Sequence, residues 1–184
     1  MPVILGVAAA LLIIGGLIAV AVLGALASGA RGPQRFDVSD VGQDFTGYFD
    51  KSASWAATAS VELPGDAEHV WQKLSAGRYL DVVPFVTGPT INDKDLSYRA
   101  VLIALSERIV RSVPYEEIIA VGTGLSIPLL LKSFGERWTI TENDKGVTVQ
   151  WTVAFTPQWI GWFPMRWTAF VVRPFMGAIL RLAL

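Results

Sequence analysis

The sequence predicts an α+β domain, an antiparallel sheet covered by a C-terminal helix, with one transmembrane helix in front of it. Three observations carry that reading. Val3 to Ala27 holds no charged or strongly polar side chain, and as a helix rising about 1.5 Å per residue such a run reaches roughly 37 Å. Residues 54–156 contain short segments that alternate apolar and polar side chains, the period of half-buried strands. The chain then finishes WIGWFPMRWTAFVVRPFMGAILRLAL, Trp159 to Leu184, with three arginines and no acid.

Composition narrows the function classes. A chain of 184 residues has room for one domain with a proper core and an extension. Its 52% hydrophobic and 17% charged residues lean toward membrane contact. A formal net charge of −1 gives no general attraction to nucleic acid, and no nucleic-acid partner is expected. The absence of cysteine removes disulfides, thiol nucleophiles and thiolate metal sites together.

The N-terminal run is long enough for hydrocarbon about 30 Å thick. A cleaved signal peptide is the rival, supported by Ala25-Leu26-Ala27, but no Lys or Arg precedes the run and it exceeds the usual length of such a core. A retained anchor over 1–30 is therefore expected. Arg31 and Arg35 follow it, which by the positive-inside rule places the remainder in the cytoplasm of a single-pass cell-membrane protein. Gly15, Ala19, Gly24 and Ser28 have small-xxx-small spacing, which arises easily in so Ala- and Gly-rich a stretch.

Residues 31–53 read as a linker or neck, with Phe36, Phe45, Tyr48 and Phe49 available to tuck it against the domain. The domain, 54–184, begins with a strand in which Trp55, Ala57, Ala59, Val61 and Leu63 share one face. Pro64-Gly65 breaks it, and Asp66 is placed to cap a helix over DAEHVWQKLS with Val70, Trp71 and Leu74 on its apolar side. GRYLDVVPF forms a further helical or turn segment ending near Pro84. Antiparallel strands are expected over 86–91, 96–105, 107–113, 116–121, 135–141 and 148–155, with Asn143, Asp144 and Gly146 turning the last pair. The amphipathic segment 159–184 supplies the helix that covers the sheet.

This order of elements, with the words VELPGDAEHVWQKLSAGRYLDVVPFV and GVTVQWTVAFTP, resembles the START-like (SRPBCC) superfamily, in particular the polyketide cyclase/dehydrase and lipid-transport group of bacteria. Val70-Trp71 matches a Val-Trp pairing on that family's first helix. The resemblance implies a helix-grip (START/Bet v 1-like) fold, a curved antiparallel sheet around the C-terminal helix with an apolar cavity between them. In this sequence the expected lining is Trp71, Trp138, Trp151, Val153, Phe155 and Phe170. The ending departs from the family pattern, being interrupted by Pro164 and Pro174 and bearing only arginines as charges.

Catalytic chemistry is thinly marked. His69, the one histidine, and Glu107 are weak candidates for acid–base work; no spacing suits a metal, and no cofactor is implied. Glu107-Arg108 and Glu136-Arg137 are Glu-Arg steps on strands, where neighbours point to opposite faces. They read either as cross-strand ion pairs on the outer face or as one charge of each step facing the cavity. Gly122-Thr123-Gly124 lacks the Gly-Lys and helix of a phosphate loop and reads as a turn before IPLLLK. Ser106, Ser112 and Ser126 have no histidine partner in sequence context.

Arg166, Arg173 and Arg181 are seven and eight residues apart, so a continuous helix would carry them on one side. They interrupt every window of about 20 apolar residues that a second span would need. The expected placement is interfacial, with Trp159, Trp162 and Trp167 at headgroup depth and the three arginines toward anionic lipid. The function that follows is a membrane-anchored module binding a lipid or other apolar small molecule at the membrane surface. The alternatives are an accessory or assembly subunit of a membrane complex, and a cyclase/dehydratase-type enzyme.

Overall fold

The computed structural model describes residues 2–28, 35–77 and 79–184, with side chains from Leu12 onward. Arg31, on which half of the orientation argument rests, lies outside the described residues, as does Arg78 of the expected second helical segment. The apolar run forms one helix, α1 (Pro2–Ser28), 27 residues long. Leu12, Ile13, Leu17 and Ile18 are exposed on it, and the Ser28 hydroxyl donates back to the Gly24 carbonyl at 2.6 Å. Among the described residues no helix is long and apolar enough to cross a membrane.

Among the described residues, eight strands form one antiparallel sheet: β1 (Phe36–Asp37), β2 (Trp55–Leu63), β3 (Thr87–Asn92), β4 (Asp95–Arg99), β5 (Ala104–Val113), β6 (Glu117–Leu125), β7 (Leu131–Asn143) and β8 (Gly146–Pro157). Their order is β2-β8-β7-β6-β5-β4-β3, with β1 pairing the far end of β6. From β3 onward each strand pairs with the next in sequence. β1 and β2 reach across the chain, β1 matching Phe36 to Leu125 and β2 matching Trp55 to Phe155 and Leu63 to Val147.

Two strand expectations change. The run expected over 96–105 is two strands, β4 and β5, reversed where the Ala100 N–H donates to the Ile103 carbonyl at 2.7 Å; no Gly or Pro marks that turn. Gly122-Thr123-Gly124 lies inside β6. A Cβ at Gly122 would collide with the Phe134 ring, and Gly124 faces the Arg35 side chain. These glycines serve close approach across the sheet, which sequence alone presents as a turn signal. The Asn143-to-Gly146 reversal forms as expected, with Gly146 at φ +131° and the Lys145 N–H donating to Asn143 Oδ1 at 2.9 Å.

The concave face carries the larger core. Trp55, Ala57, Ala59 and Val61 of β2 join Trp138, Ile140, Val149 and Trp151 there. Helix α2 is a single turn (Phe45–Gly47) that runs into a π-helical turn, Tyr48–Ser52. The helix expected after Pro64 is α3 (Ala67–Ser75), capped by Asp66, whose carboxylate accepts from the His69 N–H. The last helix, α4 (Ala169–Ala183), buries Ala169, Met176 and Leu180 and packs mainly on β2. It is shorter than the expected segment: residues 159–165 are irregular, Arg166–Thr168 is a 3₁₀ turn, and Pro174 is accommodated inside α4.

A second core occupies the convex face. The stretch expected as a linker covers the sheet there, burying Tyr48, Phe49 and Ala53 against Ala56, Ile119, Val121 and Ala154. Four aromatics in a polar stretch need a surface, and Ala56, Gly135 and Ala154 on three strands leave room for them. The Tyr48 hydroxyl and Ser133 Oγ share a hydrogen bond at 3.1 Å.

Candidate ligand cavity

Alternation along the strands decides what the interior receives. Glu107 shares its face of β5 with Leu105 and Ile109, and Glu136 shares its face of β7 with Trp138 and Ile140. Both acids point inward and are buried, at 5% and 7% exposure. Their neighbours point out. Arg108 Nε binds Asp95 at 2.8 Å, and Arg137 Nη2 binds Asp50 at 2.9 Å while its guanidinium sits over the Phe49 ring. Both readings of the Glu-Arg steps thus hold in part: the arginines pair outside and the glutamates face the cavity.

Glu136 is the hub of a buried polar cluster. Oε1 accepts from the Tyr79 and Tyr98 hydroxyls at 2.6 and 2.7 Å, and Oε2 accepts from Trp151 Nε1 at 3.0 Å. The two hydroxyls also lie 2.6 Å apart. Tyr79 comes from the turn after α3, Tyr98 from β4 and Trp151 from β8, so the cluster ties both ends of the sheet to one carboxyl. Trp151 stacks on Trp138 at 4.9 Å, and Tyr79 meets Trp138 edge-on at 4.7 Å.

Glu107 is less well served. Its Oε2 is buried with no hydrogen-bond partner, as is Trp138 Nε1. Burial first, then the nearby Glu136 carboxyl, push Glu107 well above the usual carboxylate range. Burial likewise raises the Tyr79 and Tyr98 phenols, with Glu136 and Glu107 adding to it.

Two chambers flank this cluster. The larger, about 250 Å³, is walled by Leu80, Val86, Ile103, Leu105, Trp151 and Val153, with Tyr98, Glu107 and Glu136 also on its surface. The smaller, about 140 Å³, lies between α3 and the sheet and is bordered by Trp71, Tyr79, Ile109, Glu136 and Trp138. A roomier hollow of about 630 Å³ at Asp66–Glu68 and Pro114–Glu116 is an open groove away from these acids. The larger chamber is a partly open hollow with mainly apolar walls, and the smaller one is more enclosed.

Of the residues expected to line the cavity, Trp71, Trp138, Trp151 and Val153 border one chamber or the other. Phe155 packs at the edge of the core, stacked on Trp55 at 4.6 Å. Phe170 does not reach the interior. Ala169 takes the inward position on α4, and Phe170, one residue on and about 100° around the helix, is 64% exposed. His69 is exposed on α3, outside both chambers. Tyr79, Tyr98 and Glu136 are the contributors that sequence reasoning did not select. The signal for Glu136 was available, an acid with Phe134 and Trp138 two places to either side.

On the outside, Trp159, Trp162 and Trp167 are exposed, at 81% for Trp162, as are Arg173 and Arg181. Arg166 is not free to reach lipid. Its Nε, Nη1 and Nη2 donate to the backbone carbonyls of Ala53, Asp50 and Phe49 at 3.0, 2.8 and 3.0 Å. It lies outside α4, so the continuous helix that would align three arginines does not exist.

Solved structures share this architecture at low identity. A START superfamily protein from Mycobacterium smegmatis superposes with a TM-score of 0.54 at 13% identity, over 70% of this chain and 92% of that one. The protein XoxI from Bacillus cereus gives 0.51 at 14% identity, over 70% and 95%. The Aha1 dimer from Colwellia psychrerythraea gives 0.50 at 12% identity, over 70% and 92%. No curated protein matches the chain. The fold is therefore START-like, a curved sheet gripping its C-terminal helix. A family model described as polyketide cyclase / dehydrase and lipid transport matches residues 54–183, from the start of the sheet's long edge strand to the end of α4, and the chain belongs to that family.

Proposed function

We propose that the protein is a membrane-tethered binding module that holds a lipid or other apolar small molecule beside the bilayer. The observation that carries this reading is the chamber of about 250 Å³ with aliphatic and aromatic walls and a carboxyl cluster at one side. Such a site solvates an apolar body and fixes one polar group. The tether is supported by the uncharged run Val3 to Ala27 in the sequence. Arg31 and Arg35 after that run support a cytoplasmic domain. Exposed Trp159, Trp162, Trp167, Phe170 and Phe175, with Arg173 and Arg181 nearby in sequence, support contact of the ending with an anionic surface.

Purification of the native protein in mild detergent, followed by identification of every bound lipid, small molecule and protein, tests the reading. A stoichiometric apolar ligand is the expected result. A chain that carries no ligand and stays with a larger membrane assembly would replace it with the accessory-subunit reading. The paired interior glutamates and two phenols favour one further reading, a cyclase- or dehydratase-type enzyme in which this cluster moves protons on a bound carbonyl compound. Turnover of such a compound, lost in Glu107→Gln with binding retained, would establish it.

A further inference from the structure

The donor and acceptor inventory of the interior specifies the ligand's polar group. Glu136 receives three hydrogen bonds, two on Oε1 and one on Oε2. Glu107 has Tyr98 as a side-chain hydrogen-bond partner but receives none on Oε2. The sheet's Arg108 and Arg137 leave by the opposite face and are engaged with Asp95 and Asp50. Arg99, the chamber's basic residue, is exposed. Ionised, Glu107 would place a charge in apolar surroundings beside another carboxyl and without a counter-charge. Glu107 therefore holds a proton, and a carboxylic O–H is a donor. The other unpartnered buried group, Trp138 Nε1, borders the smaller chamber and can only donate.

We infer that Glu107, as the carboxylic acid, is the specificity-determining residue of the larger chamber and donates its proton to a carbonyl oxygen on an otherwise apolar ligand. The inference rests on reading that chamber as a ligand site. Both unpartnered groups offer a proton, so the ligand must bring the acceptor. A cationic amine would need Glu107 ionised and would meet the indole N–H of Trp138 as a like-signed dipole in the adjoining chamber. A plain hydrocarbon would leave Glu107 Oε2 unpartnered. A molecule with a ketone or ester carbonyl and an aliphatic or aromatic body satisfies the acid and the walls together.

The test measures binding of 2-decanone, decane and decylamine to the full chain in lipid nanodiscs, corrected for partition into protein-free discs, with the infrared carbonyl band of the ketone as a second readout. The ketone should bind about tenfold tighter than decane, the worth of one buried hydrogen bond, with its carbonyl band moved to lower frequency. Glu107→Leu should abolish both the preference and the band shift while leaving decane binding intact. Glu107→Gln, which keeps an N–H donor of similar shape, should restore most of each. Equal affinity for ketone and decane without a band shift overturns the donor role and leaves the chamber standing. Preference for decylamine, lost in Glu107→Gln, overturns it in favour of an anionic site. Failure of all three probes to bind a folded chain removes the chamber reading itself and this inference with it.

Discussion

On β7 the neighbours Glu136 and Arg137 leave opposite faces of the sheet, and what each meets separates two regions of the molecule. Arg137 meets Asp50 and the Phe49 ring on a face closed by the neck, where Ala56, Ile119, Val121 and Ala154 leave just enough depth for Tyr48 and Phe49. Glu136 meets two phenols and an indole on a face that keeps chambers of about 250 and 140 Å³. The convex core is filled and closed by local chain. The concave core uses larger side chains and still leaves volume, and its polar groups are only partly paired. One strand, through its two-residue period, serves stability on one side and recognition on the other.

The comparison is broken most severely at Phe49, 1% exposed on the convex side. Phe49→Ala should lower the unfolding free energy by about 4 kcal/mol, read from urea melts of the detergent-solubilised chain. A loss under about 1 kcal/mol would mean the neck is only a linker after all. On the concave side Glu136→Leu should cost about 3 kcal/mol, because Tyr79, Tyr98 and Trp151 lose their common acceptor. Arg166→Ala comes next at about 2 kcal/mol, reduced from the ideal for charge-assisted bonds because the group is partly exposed. Binding to anionic vesicles should not change with Arg166→Ala, whereas a lipid-facing arginine would give the reverse pattern.

The Glu107 effect is smaller and depends on pH. Burial raises its folded-state proton affinity, so above the ordinary carboxyl range near about 4.3 the folded chain holds a proton that the unfolded chain has released. Stability from this group then falls as pH rises, until Glu107 also ionises in the folded state. Glu107→Gln cannot ionise, and thermal melts at pH values rising from about 5 should show it gaining on the parent by up to about 1.4 kcal/mol per pH unit until Glu107 ionises in the folded state. A parallel pair of curves would place Glu107 at an ordinary value. The smallest change in stability is expected for Trp162→Ala with Trp167→Ala, within about 0.5 kcal/mol, together with clearly weaker vesicle association. Unaltered association would remove the aromatic ending from the membrane account.

Most of the architecture was legible because period-2 alternation, the Asp66 cap and the Asn143–Gly146 turn are local signals. The break between β4 and β5 was not, since RAVLIAL contains no turn residue and the reversal is imposed by pairing with neighbours on both sides. Gly122 and Gly124 misled for the opposite reason, as their purpose is contact with Phe134 and Arg35, residues remote in sequence. Glu107 was visible as a candidate but its unpartnered Oε2 was not, because a missing partner is a fact of three dimensions. Arg166 read as one of an evenly spaced set, and only the packed neck shows that its partners are three carbonyls more than a hundred residues earlier.

The register of β2 with β8 bears on how the chain comes off the ribosome. Trp55 finds its partner Phe155 a hundred positions later, which at about 5–20 residues per second is a wait of roughly 5–20 s. The strands from β3 to β8 can zip as successive hairpins during that time, while β2 has no partner and α1 has already emerged. WAATASVEL is composed for such a delay, with Ala, Ser and Thr at most positions between its one tryptophan and the closing Val and Leu. Small side chains give an orphan strand little to adhere with, and they become a close-packed edge only when the last strand arrives.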